Sequence, residues 1–384
     1  MNTQNTPVHI RLWHKDFWMV SIANMLLSMA ITMMIPTLPN WMMMADGLTS
    51  EETGFSMGIF ALGLLLPGVF CSYLVQSYRR NQVCVWAIIL LAAAIIPPVY
   101  LYHMPFWMVV AMRLVQGMAF GLAQMVLAST LIIDTCESTH RTEANYAATW
   151  FGRFSLSLGP LLGLLLIQFL GLKTMLFVAS GCCVASALLV MLVHIPFRTP
   201  DDHINLFSFD RFLLLSGWPL LFNLLLITVS MGLLLSLNLG IEFYALMMVG
   251  FLLALLAQRF VFPDAELMSE VVSGVILLIA AQLLLMFAPT SLLTSPLMGL
   301  GLGLIGSRFL LFFIKLSRHC QRGTAQSTYL IGWESGLYLG IGMGYCLFEG
   351  NTHSLLSASL VLTIVGLMVY VAIIHQWFVR HKNR

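Results

Sequence analysis

Residues 141–163, RTEANYAATWFGRFSLSLGPLLG, and residues 322–344, RGTAQSTYLIGWESGLYLGIGMG, read as two versions of one helix. A shift of 181 positions lays the first on the second without a gap: Arg141 falls on Arg322, Ala144 on Ala325, Leu156 on Leu337, Leu158 on Leu339, Gly159 on Gly340 and Gly163 on Gly344. Chance supplies leucine matches in apolar sequence. It does not readily supply an arginine and two glycines at one fixed offset, so the chain reads as two related halves. In both copies the glycines stand four residues apart, the spacing that lets helix backbones approach closely inside a membrane.

The sequence around these copies is apolar throughout. Hydrophobic residues make up 59% of the 384 and charged residues 9%, against about 25% charged in a soluble domain. Such a chain has little polar surface to offer water, whereas a bilayer-crossing helix needs only ~20 mostly apolar residues. Twelve such stretches are predicted, at 17–38, 54–75, 83–102, 105–132, 144–169, 173–194, 209–236, 240–258, 269–288, 292–317, 323–348 and 354–378. The expected fold class is an all-α polytopic membrane protein with twelve transmembrane helices in two pseudosymmetric six-helix bundles. The first bundle spans 1–194 and the second 209–384. Between them the polar stretch 195–208, IPFRTPDDHINLFS, reads as a cytoplasmic linker.

Orientation follows from the basic residues. One set of loops and termini holds Arg11, Lys15, Arg79, Arg80, Arg141, Arg198, Arg211, Arg259, Lys315, Arg318, Arg322, Arg380, Lys382 and Arg384, and the opposite set holds Lys173. Lys and Arg accumulate in cytoplasmic loops, so both termini are expected in the cytoplasm of a bacterium, with the helices crossing its inner membrane. No small-residue cleavage site follows the apolar run from Phe17, which reads as the first helix rather than a removable leader. The net charge of +2 is spread over the loops and argues against a nucleic acid partner. Seven cysteines match no metal-ligand spacing and read as small packing residues. No metal or cofactor is expected.

An ionisable side chain in mid-span costs at least about 2.5–3.5 kcal/mol and is a functional candidate by default. Four are found: Arg113, Arg153, Arg308 and Glu334. Under the repeat, Arg153 and Glu334 occupy equivalent positions. Glu334 is the candidate proton-coupling residue, with a static ion pair to Arg308 or Arg153 as the alternative. A guanidinium grips a carboxylate or phosphate with two parallel hydrogen bonds, so Arg308 and Arg153 are candidates for substrate anchoring as well as for structural pairing. Methionines at Met25, Met29 and Met33 form a stripe that suits either an adaptable binding wall or ordinary packing. Asn24, Gln116, Gln124, Asn223 and Asn238 face either a cavity or a neighbouring helix. Trp41, Trp150 and Tyr338 are candidate aromatic lining. Glu242 reads as interfacial, and Asp134, Glu137 and Glu143 as loop residues with no special role.

Three segments resemble motifs of the major facilitator superfamily. RLVQGMAFG (Arg113, Gln116, Gly117, Gly121) is similar to its R-x-x-Q-G element. GRFSLSLGPLLG (Gly152, Gly159, Pro160, Gly163) is similar to its antiporter G-P-x-x-G element, and IPTLP (Pro36, Pro39) to the P-x-x-P element of the twelve-helix drug:proton antiporters. The resemblance implies two bundles around a central cavity, alternating access by rocking, and proton-driven export. It implies a place for Arg113 near the substrate and proton path. Pro160 removes a backbone donor and permits a bend that rocking needs. One departure stands out. Where the family carries G-x-L-x-D-R-x-G-R-R, this chain reads SYLVQSYRRNQV: Gln76 replaces the acidic residue, Arg79 the second glycine, and Arg80 keeps its basic character. The latch that the acid forms in the family is missing or is replaced by neutral hydrogen bonds from Gln76. Helix 1 also lacks a carboxylate, which moves the coupling role to Glu334.

An enzyme is not indicated, since no nucleotide-binding loop, metal cluster or nucleophile–base pair is found. The leading expectation is proton-coupled efflux of small amphiphilic or drug-like molecules. Transport of an anionic metabolite is the alternative favoured by three arginines against one glutamate, and lipid flipping is a further one. Partners are then a small-molecule substrate, protons and the bilayer. With loops this short, a monomer is expected.

Overall fold

The computed structural model describes residues 12–101, 103–137, 140–193, 205–262 and 266–382. Arg11, Arg198, Arg384 and residues 195–204 of the expected linker lie outside them. The first helix, α1 (Lys15–Thr32), follows the apolar run but stops six residues short of its predicted end. Pro36 cannot donate to a continuing helix, and Pro39 sits in the first turn of α2 (Leu38–Ala45), where a proline is tolerated. A capping box opens α3 (Ser50–Leu65): Glu52 N–H donates to Thr49 Oγ1 over 3.2 Å, and Thr49 N–H donates to the Glu52 carboxylate over 2.9 Å. The single span predicted at 54–75 is broken at Pro67 and bends by 44° into α4 (Gly68–Ser77).

After α5 (Arg80–Ile95), α6 (Pro97–Tyr100) and α7 (Phe106–Val126), a π-helical turn (Leu127–Leu131) leads into α8 (Ile132–Asp134). The helix α9 (Arg141–Leu192) runs for 52 residues in two arms that meet at Gly171, whose φ of +82° only glycine adopts readily. A loop was predicted at that point. There follow α10 (Trp218–Leu235), α11 (Ile241–Phe260), α12 (Leu267–Phe287), α13 (Thr294–Leu316), α14 (Arg322–Phe348), α15 (Thr352–Val369), a second π-helical turn (Tyr370–Ile374) and α16 (His375–His381). No strand occurs among the described residues. Eight helices are long and apolar enough to cross a membrane, nine if the bent pair α3 and α4 counts as one.

The same seams recur in both parts of the chain. The first arm of α9 packs on α1, and α14 packs on α10. In the first seam Thr32 Oγ1 donates to Ser155 O over 2.8 Å, and a Cβ placed on Gly163 would stand 2.6 Å from Met33 O. In the second, a Cβ on Gly340 would stand 2.7 Å from Gly232 Cα and 2.9 Å from Leu233 N. The α3–α7 and α11–α13 seams match likewise: a Cβ on Gly63 would lie 2.9 Å from Gly117 Cα, and one on Gly250 2.9 Å from Gly299 Cα. Across the molecule α14 also lies against α3, where a Cβ on Gly54 would meet Gly342 O at 2.6 Å.

These seams predict a contrast between two glycines. Gly340→Ala pushes a methyl into the α10 backbone, and such overpacking costs about 1–3 kcal/mol. Gly181 has nothing within 4 Å of its Cβ position, so Gly181→Ala gains about 0.5–1 kcal/mol of helix propensity instead. Thermal unfolding of the purified variants should order them on opposite sides of the parent; equal midpoints would remove the seam from the account.

Candidate functional site

Arg113 on α7 is wholly buried. Its Nη1 donates to Gln116 Oε1 over 2.8 Å, and Gln116 Nε2 donates in turn to Ala94 O on α5 over 2.7 Å. Both ends of the Gln116 amide are thus engaged, and its place is to hold Arg113 rather than to face a cavity. The Arg113 guanidinium carbon stands 4.6 Å from the ring centre of Phe60 on α3 and 5.5 Å from that of Tyr338 on α14. Aromatic faces attract a cation, most strongly where water is excluded. The remaining nitrogens, Nε and Nη2, make no hydrogen bond.

Arg153 on α9 is held in the same manner. Its Nη1 donates to Ser307 Oγ on α13 over 2.6 Å and its Nη2 to Tyr329 Oη on α14 over 3.2 Å. The guanidinium carbon is 4.9 Å from Trp150 and 5.8 Å from Tyr329. Gly306 admits this side chain, since a Cβ there would stand 2.8 Å from Arg153 Nε. Each arginine therefore lies against two aromatic rings, one of them a tyrosine of α14; Phe60 and Tyr338 also touch each other, with centroids 4.2 Å apart. Among the described residues no carboxylate pairs with either.

Glu334 lies between those two tyrosines along α14. It is partly exposed, and among the described residues it makes no hydrogen bond or ion pair. Leu339, Met343 and Leu347 are exposed and mark the outer face of this helix. Nine residues amount to about 2.5 turns, so Glu334 points opposite to Met343, into the bundle.

The expected pairing of Glu334 with Arg308 or Arg153 is not found. Arg308 instead makes an ion pair with Glu270, in the first turn of α12. Gln258 Nε2 also donates to Glu270 over 2.7 Å, and Tyr146 Oη donates to Gln258. This chain of contacts ties α9, α11, α12 and α13 together. Glu270 went unnoticed in the sequence because it stands at the edge of a predicted span, where water was expected. The available signal was the need of Arg308 for a counter-charge. In the first half an ion pair between Arg80 and Asp134 joins the start of α5 to α8. Asp134, read as a loop residue without a role, thus ends α8 as the partner of Arg80. Gln76 bonds Ser72 over 3.1 Å within its own helix, so the neutral latch expected of it is not formed here.

The remaining candidates divide between seam and interior. Met33 sits in the α1–α9 seam against Gly163, Met29 is buried and Met25 half-buried. Asn24 donates to Ala148 O over 3.2 Å, Gln124 to Ser28 Oγ over 2.9 Å, Asn223 to Gly366 O over 2.8 Å, and Asn40 to Asn238 Oδ1 over 3.1 Å. Each joins two separate segments. Gly159, Pro160 and Gly163 are all buried on the first arm of α9, the two glycines against α1. A cleft of about 560 Å³ opens near the start of α14, lined by Asp210, Leu213, Leu316, Arg318, Gln321 and Thr324. None of the four mid-span charges lines it.

The Arg308–Glu270 pair yields a prediction. Removing one partner of a buried ion pair leaves a bare charge and costs about 3–5 kcal/mol, while an apolar replacement of both is far milder. Arg308→Met alone should lower the unfolding midpoint more than Arg308→Met with Glu270→Met; additive losses in this double-mutant cycle would refute the pairing.

Comparison with family models matches residues 20–341 to the Major Facilitator Superfamily. No curated protein sequence matches the chain. Three solved structures share its architecture. An auto-inhibited peptide transporter of the POT family aligns with a TM-score of 0.70 at 11% identity, covering 96% of this chain and 97% of that one. A point mutant of the nucleoside transporter NupG aligns with 0.64 at 11% identity, covering 94% and 100%. The human organic anion transporter MFSD10 (TETRAN) aligns with 0.63 at 15% identity, covering 92% and 98%. Identities this low speak for the fold and leave the cargo open. With the family model matched over most of its length, the chain is a multi-pass membrane transporter belonging to the Major Facilitator Superfamily.

Proposed function

We propose that this protein is a proton-coupled secondary transporter that exports small amphiphilic organic molecules by alternating access. The observation that carries the reading is Glu334, an inward-pointing, partly exposed carboxylate with no counter-charge, set between the tyrosines that cover Arg113 and Arg153. A lone ionisable group at this depth is a functional site by default. It takes up or releases one proton as water reaches it from either side. Counting each arm of α9 as a crossing, taking α3 with α4 as one, and adding α1 and α14 to the apolar helices gives twelve. Two bundles, 1–194 and 209–384, joined by 195–208 with both termini in the cytoplasm, follow from that count and from the distribution of Lys and Arg.

A second reading of the cargo rests on Arg113. Its Nε and Nη2 form the side edge that a carboxylate meets with two parallel hydrogen bonds, which favours an organic anion.

Liposomes holding a pH dye test both readings under an imposed proton gradient. Amphiphilic compounds should drive proton movement through the wild type, and Glu334→Gln should abolish it with normal folded yield. Full coupling in Glu334→Gln would end the assignment. Where organic anions are the active class, Arg113→Lys should cut their transport about tenfold or more, the loss of one bidentate contact. Activity confined to neutral or cationic amphiphiles would instead reject the anion reading.

A further inference from the structure

The repeat that lays Arg141 on Arg322 also lays Asn145 on Gln326. Each stands one turn into its helix, α9 or α14, and both are fully buried, at 0% and 1% exposure. In both carboxamides neither the nitrogen nor the oxygen has a hydrogen-bond partner. The hydroxyl of Ser327, beside Gln326, is in the same condition. Folded proteins leave few buried polar groups unpaired, and each one calls for an explanation. Two amides left bare at repeat-equivalent places have a common cause.

Both lie at one end of the bundle, where protein covers them although a cleft opens nearby at Gln321 and Thr324. The first turn of α14 touches the π-helical turn Leu127–Leu131, where a Cβ on Gly323 would meet Ser129 O at 2.5 Å. The short helix α8, which follows that turn, packs on α9. Tyr146, next to Asn145, bonds Gln258 of α11, and Thr324 Oγ1 accepts from Arg211 N–H over 3.0 Å. The amides are therefore covered by protein in the state where they have no partners. π-turns also recur at functional sites and mark places where a helix changes register.

We propose that Asn145 and Gln326 form a matched pair of neutral subsites lining the transport path at this end. When the end opens they take water and the uncharged hydrogen-bonding groups of the cargo, hydroxyl or amide. When it closes they lose those partners, so closure carries a built-in cost and the two states stay near balance. This rests on the alternating-access reading above.

The test has two arms. In the first, the native cysteines are replaced except Cys320, which is exposed and reports reagent access. Asn145→Cys and Gln326→Cys are then treated in liposomes with a charged methanethiosulfonate. Both should react, and both faster when Tyr146→Phe removes the bond to Gln258. Silence at both positions with Cys320 modified, or reaction at one alone, would overturn the pair. The second arm keeps the native cysteines and combines Asn145→Leu with Gln326→Met, which match the amides in size. The unfolding midpoint should rise by about 2–4 °C while turnover falls, since the shut state no longer covers bare amides. A lower or unchanged midpoint would overturn the proposal. Coupled transport by the wild type is measured alongside; its absence would bring down the proton-coupled reading proposed above, whereas its presence with unreactive cysteines would bring down only this inference.

Discussion

The close backbone approach along four glycine seams is the constraint on which the rest of the molecule depends. In lipid no hydrophobic force draws apolar helices together, so association rests on packing at short range and on hydrogen bonds between helices. Here α14 presents Gly340 to Gly232 of α10 and Gly342 to Gly54 of α3, so that one helix is clamped on two sides. Only a helix so enclosed can carry Gln326, Ser327, Glu334 and Tyr338 without exposing them to hydrocarbon. α14 is accordingly absent from the helices apolar enough to be recognised as spans by composition.

Two solutions to the problem of a buried cation stand side by side. Where the site is fixed, as with Arg308 and Glu270, a carboxylate pairs with the guanidinium and further hydrogen bonds from Gln258 complete the acid's shell. Arg113 and Arg153 instead lie against aromatic rings, helped by an amide or by hydroxyls. Such a site stabilises the charge without neutralising it, so the guanidinium remains able to meet an anion. The repeat preserves positions more faithfully than charges. Arg153 corresponds to Glu334, a cation in one copy and an acid in the other.

Much of this was legible in the sequence, because it depends on features that are local or periodic. Gly159, Gly163, Gly340 and the fixed offset between α9 and α14 announced the seams and the repeat. Mid-span charges announced Arg113, Arg153 and Glu334. What could not be read was which side chain meets which across the bundle, since that depends on helix rotation and depth. Glu270 looked like the edge of a span and proved fully buried. Gln116 was open to a cavity or to a neighbouring helix, and it bonds Ala94 of α5 while supporting Arg113. The break at Gly171 falls where a loop was predicted, whereas the one at Pro67 lies inside a predicted span, because a helix can bend at a proline without leaving its path. Asn145 and Gln326 were within reach, as the shift of 181 positions pairs them, but an amide in a polar first turn attracts no notice until its surroundings are known.

The double clamp on α14 also explains why Glu334 is free while Arg308 is not. α14 shares its deepest seam with α10, a helix of its own half, and α13 carries Arg308 within that half too. Contacts inside one half persist when two bundles rock, so a charge there can be paired for good. Arg113 belongs to the other half and meets α14 only through Tyr338. On the alternating-access reading proposed above, rocking separates such partners while the α10 seam inside one half holds, and Glu334 travels with one bundle past cations of the other. A carboxylate in that position gains from having no permanent partner, since a fixed ion pair across the two halves would lock the motion that the proposed mechanism requires.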